Sequence, residues 1–295
     1  MKFLQKYKAY LLVVYAFLIL LHFIIKDNYY PLSILFYASP LILIISYGWF
    51  TSYAYYKTKL LPLIVICQII ITTLWFVNNY YINNIRYHES NATVFFWNLA
   101  KKKTFPLKTV TSRIESKTPE LLAFVEDKSI NNFNSKPLKN YSYKKLADNM
   151  SILYLGELLD IQFYYKEENY KFNVVKIKYK NNITSYLIAD VWASPFVDKK
   201  EALTTISDYA TNNNIDIILG DFNTPYESIH FKKFYREFNS FHSKNNGLTA
   251  TWYYGFPLLE LDQIWLNKKH QPLLLEKSQH LNSDHKLLIA TYLKH

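Results

Sequence analysis

Cysteine is almost missing from this chain: Cys67 is the only one among 295 residues. That excludes an intrachain disulfide and a cysteine-rich zinc site. Cys67 lies in an apolar run, where a small packing side chain is its expected role, and the lack of a disulfide leaves the redox compartment open. Internal repeats and low-complexity linkers are absent. Charge is absent from three stretches: between Lys8 and Lys26, between Asp27 and Lys57, and between Lys59 and Arg86. Each supplies about 17–20 apolar residues, enough to cross a ~30 Å hydrocarbon layer as a helix. Residues 11–21 lack a polar face at helical spacing, which argues against the amphipathic helices of a soluble bundle. Lys2, Lys6 and Lys8 would suit a signal peptide, but no small-residue cleavage pattern precedes His22, so the first run is expected to be retained.

The expectation is a membrane region over residues 1–86 with three transmembrane helices, at about 9–25, 31–52 and 60–80. Lysines at 2, 6, 8, 57 and 59, against Lys26 offset by Asp27, place the N-terminus and the second loop inside. Three crossings then put the remainder outside the cytoplasm, as a multi-pass protein of the inner membrane with an extracytoplasmic C-terminal domain. Tyrosines at 29, 30, 53, 55, 56, 80 and 81 stand at the run ends, as interfacial aromatics do, and Pro40 is expected to kink the second helix.

Beyond the membrane region the chain reads as ordinary soluble protein. The formal charge is +11, and residues 91–295 carry 27 Lys+Arg against 21 Asp+Glu. That balance could favour a polyanion or anionic lipid, but it is diffuse; Lys101, Lys102 and Lys103 are its densest cluster. Short strands are expected at 93–97, 120–125, 171–180, 184–189, 215–219, 261–266 and 287–292, with an amphipathic helix at 199–211 and a long surface loop at 128–149. An apolar strand with a chemically capable polar residue just past its end recurs. Two packed sheets with helices outside would accommodate it. The strongest instance is Leu219-Gly220-Asp221-Phe222-Asn223, read as a strand ending in a glycine turn; Ser283-Asp284-His285 follows near the C-terminus. An acid, an amide and a late Asp-His pair are what a metal-assisted attack on a phosphate needs. Taken singly, Asp221 reads equally as a turn residue, Asn98 as a strand-end asparagine and His285 as a surface histidine.

Trp97-Asn98, Pro119 through Glu126, Gly220-Asp221-Phe222-Asn223, Leu261-Asp262-Gln263-Ile264 and Ser283-Asp284-His285, in this order, resemble the endonuclease/exonuclease/phosphatase superfamily, the deoxyribonuclease I-like fold. The resemblance covers residues 91–295 and is similar to a bacterial membrane-anchored subgroup. It implies an α/β fold of the α+β kind, a four-layer αββα sandwich, and hydrolysis of a phosphodiester or phosphomonoester with a divalent ion, Mg2+ or Mn2+. Glu126 would be the main metal ligand, with Asn98 close by and Asp284 adding charge. Asp221 would orient or deprotonate water, Asn223 would donate to a phosphate oxygen, and His285, held by Asp262, would contact the phosphate. Two positions depart from the pattern. Gln263 stands where a histidine is common, and Trp192 stands where a histidine normally follows the 184–189 strand; its indole can touch substrate but has no proton to give. Two readings follow: an active phosphoesterase on nucleic acid, a lipid head group or a small ester, or a catalytically weak relative that binds an anionic ligand or partner. Substrate choice is expected to lie in residues 149–168 and 223–249, which carry no readable code.

Overall fold

The computed structural model describes residues 2–85, 91–129, 138, 140–254, 256 and 258–294. The ends of the two expected regions, Arg86 and His295, and residues 130–137 and 139 of the expected loop lie outside the described residues. The chain divides into two compact units, Met1–Tyr80 and Tyr81–His295.

The first unit is helical: α1 (Lys2–Leu20, continued by a π-helical turn Leu21–Ile25), α2 (Leu32–Ala38), α3 (Leu41–Ala54) and α4 (Leu61–Asn79). Two helices, Lys6–Ile25 and Leu61–Asn79, are long and apolar enough to cross a membrane. The second expected span is not one helix: α2 and α3 meet at 83°. Pro40 has no N–H to continue α2, and Ser39 before it is driven out of helical geometry, to φ −120 and ψ 70. Within the bundle Tyr15 donates to Gln68 Oε1, and Gln68 Nε2 donates to the Ile45 carbonyl at 2.7 Å. Gly48 makes this contact possible, since a Cβ there would lie 2.1 Å from Gln68 Oε1.

Strand β1 (Tyr80–Tyr81) stands at the junction. The second unit then runs β2 (Asn91–Asn98), α5 (Leu107–Lys117), β3 (Leu121–Val125), β4 (Ser142–Lys145), β5 (Ser151–Tyr154), β6 (Glu157–Lys166), β7 (Tyr170–Tyr179), β8 (Asn182–Val191), α6 (Lys199–Asn212), β9 (Ile217–Asp221), α7 (Lys232–Glu237), β10 (Phe238–Ser240), β11 (Gly247–Leu248), β12 (Asp262–Asn267), β13 (Gln271–Ser278) and β14 (Leu287–Leu293). Both segments expected to set substrate choice hold regular structure: β5 and β6 occupy 149–168, and α7 and β10 lie within 223–249.

Two six-stranded sheets form, in the orders β10-β12-β9-β8-β7-β6 and β13-β14-β2-β3-β5-β4. Their central strands are apolar on both faces because both faces are covered. In β2, Val94 and Phe96 point into the core between the sheets, while Phe95 and Trp97 point outward onto Val110 and Ile114 of α5. In β8 and β9, Ile188 and Leu219 face the inner core, while Leu187 and Ile218 face Ala202, Leu203 and Ile206 of α6. The layers thus run helix, sheet, sheet, helix. Each fully buried aliphatic or aromatic side chain contributes about 1.5–3 kcal/mol.

This topology gathers the polar strand ends. Strands β2 and β3 are parallel, as are β8 and β9; β12 is antiparallel to β9 and β14 to β2. The C-terminal ends of β2, β3, β8 and β9 therefore lie together with the N-terminal ends of β12 and β14.

Candidate active site

Asp221 is the centre of that end. Gly220 before it is not a turn residue, as the sequence suggested, but the penultimate residue of β9. A Cβ there would lie 2.6 Å from the Ala189 carbonyl oxygen on β8, so only glycine allows the two strands to close. Register then sets Asp221 opposite both Asp190 and Asp262.

Across the gap between the sheets, Asn98 Nδ2 at the end of β2 donates to Asp221 Oδ2 at 2.8 Å, and the Asn98 side-chain oxygen accepts from the Ala100 N–H. The Asn223 N–H donates to Asp221 Oδ1 at 2.9 Å. The His285 Nδ1 proton goes to Asp262 Oδ2 at 2.8 Å, and Nε2 lies 3.9 Å from Asp221 Oδ2. Asn98, Asp221, Asp262 and His285 are all buried. Ser283 is the lock: its hydroxyl donates to the Asn98 carbonyl at 2.6 Å and accepts the His285 N–H at 3.0 Å.

The electrostatics follow from this crowding. Burial, then the neighbouring Asp262 charge, push the Asp221 carboxyl up, and His285 only partly offsets them. Burial alone would lower His285, but Asp262 first, then Asp221 and Asp284, outweigh it and raise the imidazole to about 10. Asp190, buried beside Lys171 at 3.1 Å, is raised to about 6 by burial.

The remaining expected residues sit around this network. Glu126 follows directly on β3, at φ 52, and pairs with the exposed Lys101 at 3.3 Å. It lines a cavity of about 560 Å³ together with Asp190, Trp192 and Asn223. Asn223 Nδ2 donates to the Val191 carbonyl at 2.8 Å, leaving its second N–H for a ligand. Asp284 Oδ2 accepts from Trp252 Nε1 at 3.0 Å. Trp192 is 46% exposed at the cavity rim. Gln263 points away from the chemistry; it is buried and accepts from Trp265 Nε1 at 3.1 Å.

The donor set fits a hard divalent cation. Asp262 Oδ1 and Asp284 Oδ1 are buried carboxylate oxygens without a hydrogen-bond donor. Among the described residues, Asp221, Asp262 and His285 offer ligand atoms all within 4.8 Å of one another, a group that could hold a metal ion. The geometry thus joins Asp221 to Asp262 and His285 as one group, with Asn98 bonded to it. Glu126 and Asp284, expected as ligands, stand outside that group.

Three residues of the site carried no sequence signal. Thr251 Oγ1 accepts from the Asp262 N–H at 3.0 Å, Trp252 holds Asp284, and buried Lys199 donates to the Trp192 and Ser194 carbonyls. Burial lowers Lys199 to about 8.

No family model matches the chain, and no curated protein matches it. Solved structures do. Zebrafish (D. rerio) TDP2 complexed with single-strand DNA product is similar over 70% of this chain and 100% of its own, at TM-score 0.55 and 12% identity. An endonuclease/exonuclease/phosphatase family protein from Bacteroides thetaiotaomicron covers 70% of this chain and 98% of its own, at TM-score 0.53 and 11% identity. A mannosyl-6-phosphatase from the same organism covers 69% and 100%, at TM-score 0.54 and 11% identity. The chain therefore resembles the endonuclease/exonuclease/phosphatase family, and at this identity the likeness is one of fold.

Proposed function

We propose that this protein is a membrane-anchored, divalent-metal-dependent phosphoesterase whose catalytic domain faces away from the cytoplasm. The observation that carries the reading is the buried chain Asn98–Asp221–His285–Asp262, which crosses the gap between the sheets at the end where the parallel strands stop. Likeness to structures named as a phosphatase and as a DNA-bound TDP2 supports the same class.

Asp221 takes the proton of the attacking water. A carboxyl raised by burial and by Asp262 suits a base that works near neutrality. Asn98 and the Asn223 N–H fix its two oxygens so that the base does not rotate. His285, kept protonated by Asp262, presents a positive donor to the phosphoryl oxygens, and Asn223 adds its free N–H. Glu126, with Asp284 and the Asn98 oxygen, would hold the cation, Mg2+ or Mn2+, which when bound neutralises charge on the phosphate.

Trp192 supports a second reading, a binding domain of weak turnover. Its exposed indole stands at the cavity with no proton donor to a leaving group. Full-length protein in detergent, assayed on bis(p-nitrophenyl) phosphate, separates the two. The enzyme reading expects turnover with Mg2+ or Mn2+ that a chelator abolishes; binding of the ester without metal-dependent turnover would establish the second reading. The outward placement requires the bent α2–α3 pair to cross as a third span. A C-terminal fusion to a reporter active only outside the cytoplasm should be active, and an inactive fusion would reverse the orientation.

A further inference from the structure

The 560 Å³ cavity beside the catalytic network has a chemistry of its own. Its size is that of a small-molecule site. On one side it opens onto Glu126, Asp190 and Asn223; on the other it is bounded by the turn between β6 and β7. That turn is fastened to the site. The Trp192 N–H donates to the Asn169 carbonyl at 2.9 Å, and Asn169 Nδ2 donates to Glu201 at 3.0 Å.

The domain is positive, but this cavity is not. Five carboxylates line it against three lysines. Each lysine already has an acid: Lys101 pairs with Glu126, Lys166 with Glu201, and Lys171 with Asp148 and Asp190. Glu167 and Glu168 are exposed on the turn and have no ion-pair partner among the described residues. Beside them stand two exposed aromatic faces, Tyr165 at 67% and Trp192 at 46%. Acid surplus plus exposed π faces attracts an alkylated cation and repels a second phosphate.

We propose that this cavity is the subsite for the ester group that stays on phosphorus while the other alcohol departs, and that the group it accepts is an alkylammonium, of the choline or ethanolamine kind. This rests on the phosphoesterase reading of the adjoining site. The ester could be a zwitterionic phospholipid or a soluble head-group diester; the subsite chemistry is the same. Trp192, useless as an acid, gains a role here as a face for the cation.

The test uses full-length protein in detergent with Mg2+ and two esters that differ only in charge, p-nitrophenyl phosphorylcholine and p-nitrophenyl 3,3-dimethylbutyl phosphate. The choline ester should have a kcat/KM about tenfold higher, the scale of one good cation–π contact with a nearby carboxylate. A Glu167→Gln, Glu168→Gln double variant should bring the ratio close to one. Equal rates on the two esters would overturn the subsite while leaving the phosphoesterase intact, as would faster turnover of a dinucleotide than of the choline ester. Without turnover on any ester the phosphoesterase reading fails, and binding then decides. Phosphocholine should quench tryptophan fluorescence at about a tenfold lower concentration than 3,3-dimethylbutyl phosphate, with Trp192→Phe removing the signal, and equal affinities would overturn the subsite. Phosphatidylcholine vesicles and glycerophosphocholine, compared in the same assay, tell the lipid source from the soluble one.

Discussion

Asp216 and Asp221 stand at the two ends of one strand, five residues apart, and they are held in opposite ways. Asp216, just before β9, accepts the Ser185 N–H at 2.8 Å and the Ser185 hydroxyl at 2.9 Å, and it pairs with Lys269 and His270. Burial alone would raise it, but these donors outweigh burial and hold it well below the usual carboxylate range. Asp221 is more deeply buried, its neighbours include Asp262, and burial first and then that charge push it up. One end of the sandwich spends its polar groups on satisfaction; the other keeps a carboxylate in a proton-ready state. The same residue type is held below the usual carboxylate range at one end and above it at the other, and depth of burial and neighbours together decide which.

The sharpest way to break this comparison is a pair of isosteric changes. Asp221→Asn should lower kcat by about 10²–10⁴, the usual value of a general base. It should leave the unfolding midpoint unchanged or higher at neutral pH. A carboxyl whose folded pKa is raised loses stability as pH climbs from the unfolded value through the folded one, and the amide removes that cost. Asp216→Asn should do the reverse: turnover per folded molecule is kept, while stability falls by about 2–3 kcal/mol. The Asp216 contribution is present above the unfolded carboxylate pKa and is lost as pH falls through its depressed folded value. Equal effects of the two changes on both readouts would erase the distinction.

Next in size is Trp192→His. It should raise kcat for an alkyl leaving group by up to about 10², and much less for p-nitrophenol, which needs little protonation. An identical response of both leaving groups would show that no acid is missing at this position. The pH profile comes third. Log kcat/KM should rise to about pH 7 as Asp221 deprotonates and fall above about pH 10 as His285 loses its proton. Asp262→Asn should bring the alkaline limb to lower pH, because Asp262 is the largest of the charges holding that proton. Smallest is Lys199→Met, which leaves the Trp192 and Ser194 carbonyls without their donor and should cost about 1–2 kcal/mol, with a change in Trp192 fluorescence.

The Asp221 end was the legible end, for a physical reason. Strands such as 93–97 and 215–219 are buried on both faces, so they read as unbroken apolar runs, and the polar residue that stops each run is also the one aimed at the site. Asn98 and Asp221 end such runs; Asp262 and His285 stand before or at the start of strands, and their pairing was implied by the resemblance. The edges were not legible. Strand β6 carries both apolar and polar residues on both faces because it lies at a sheet margin, half covered. Helix α5 buries only Val110 and Ile114, too few to mark a period. The break between α2 and α3 was foreshadowed by Pro40, but its 83° angle depends on what the two halves pack against. Lys199 and Thr251 hold backbone groups of distant segments, a role that leaves no trace in local pattern. The acid surplus by the turn between β6 and β7 was likewise hidden, because its cations are neutralised by partners far away in sequence.

The most direct test of the account is where a divalent cation sits. Crystals of the protein soaked in Mn2+ should show one anomalous peak at the end that carries Asp221, in contact with Glu126, and none beside Asp216 and His270. A peak at the opposite end of β9, or saturating Mn2+ that leaves the Glu126 side chain uncoordinated, would contradict it.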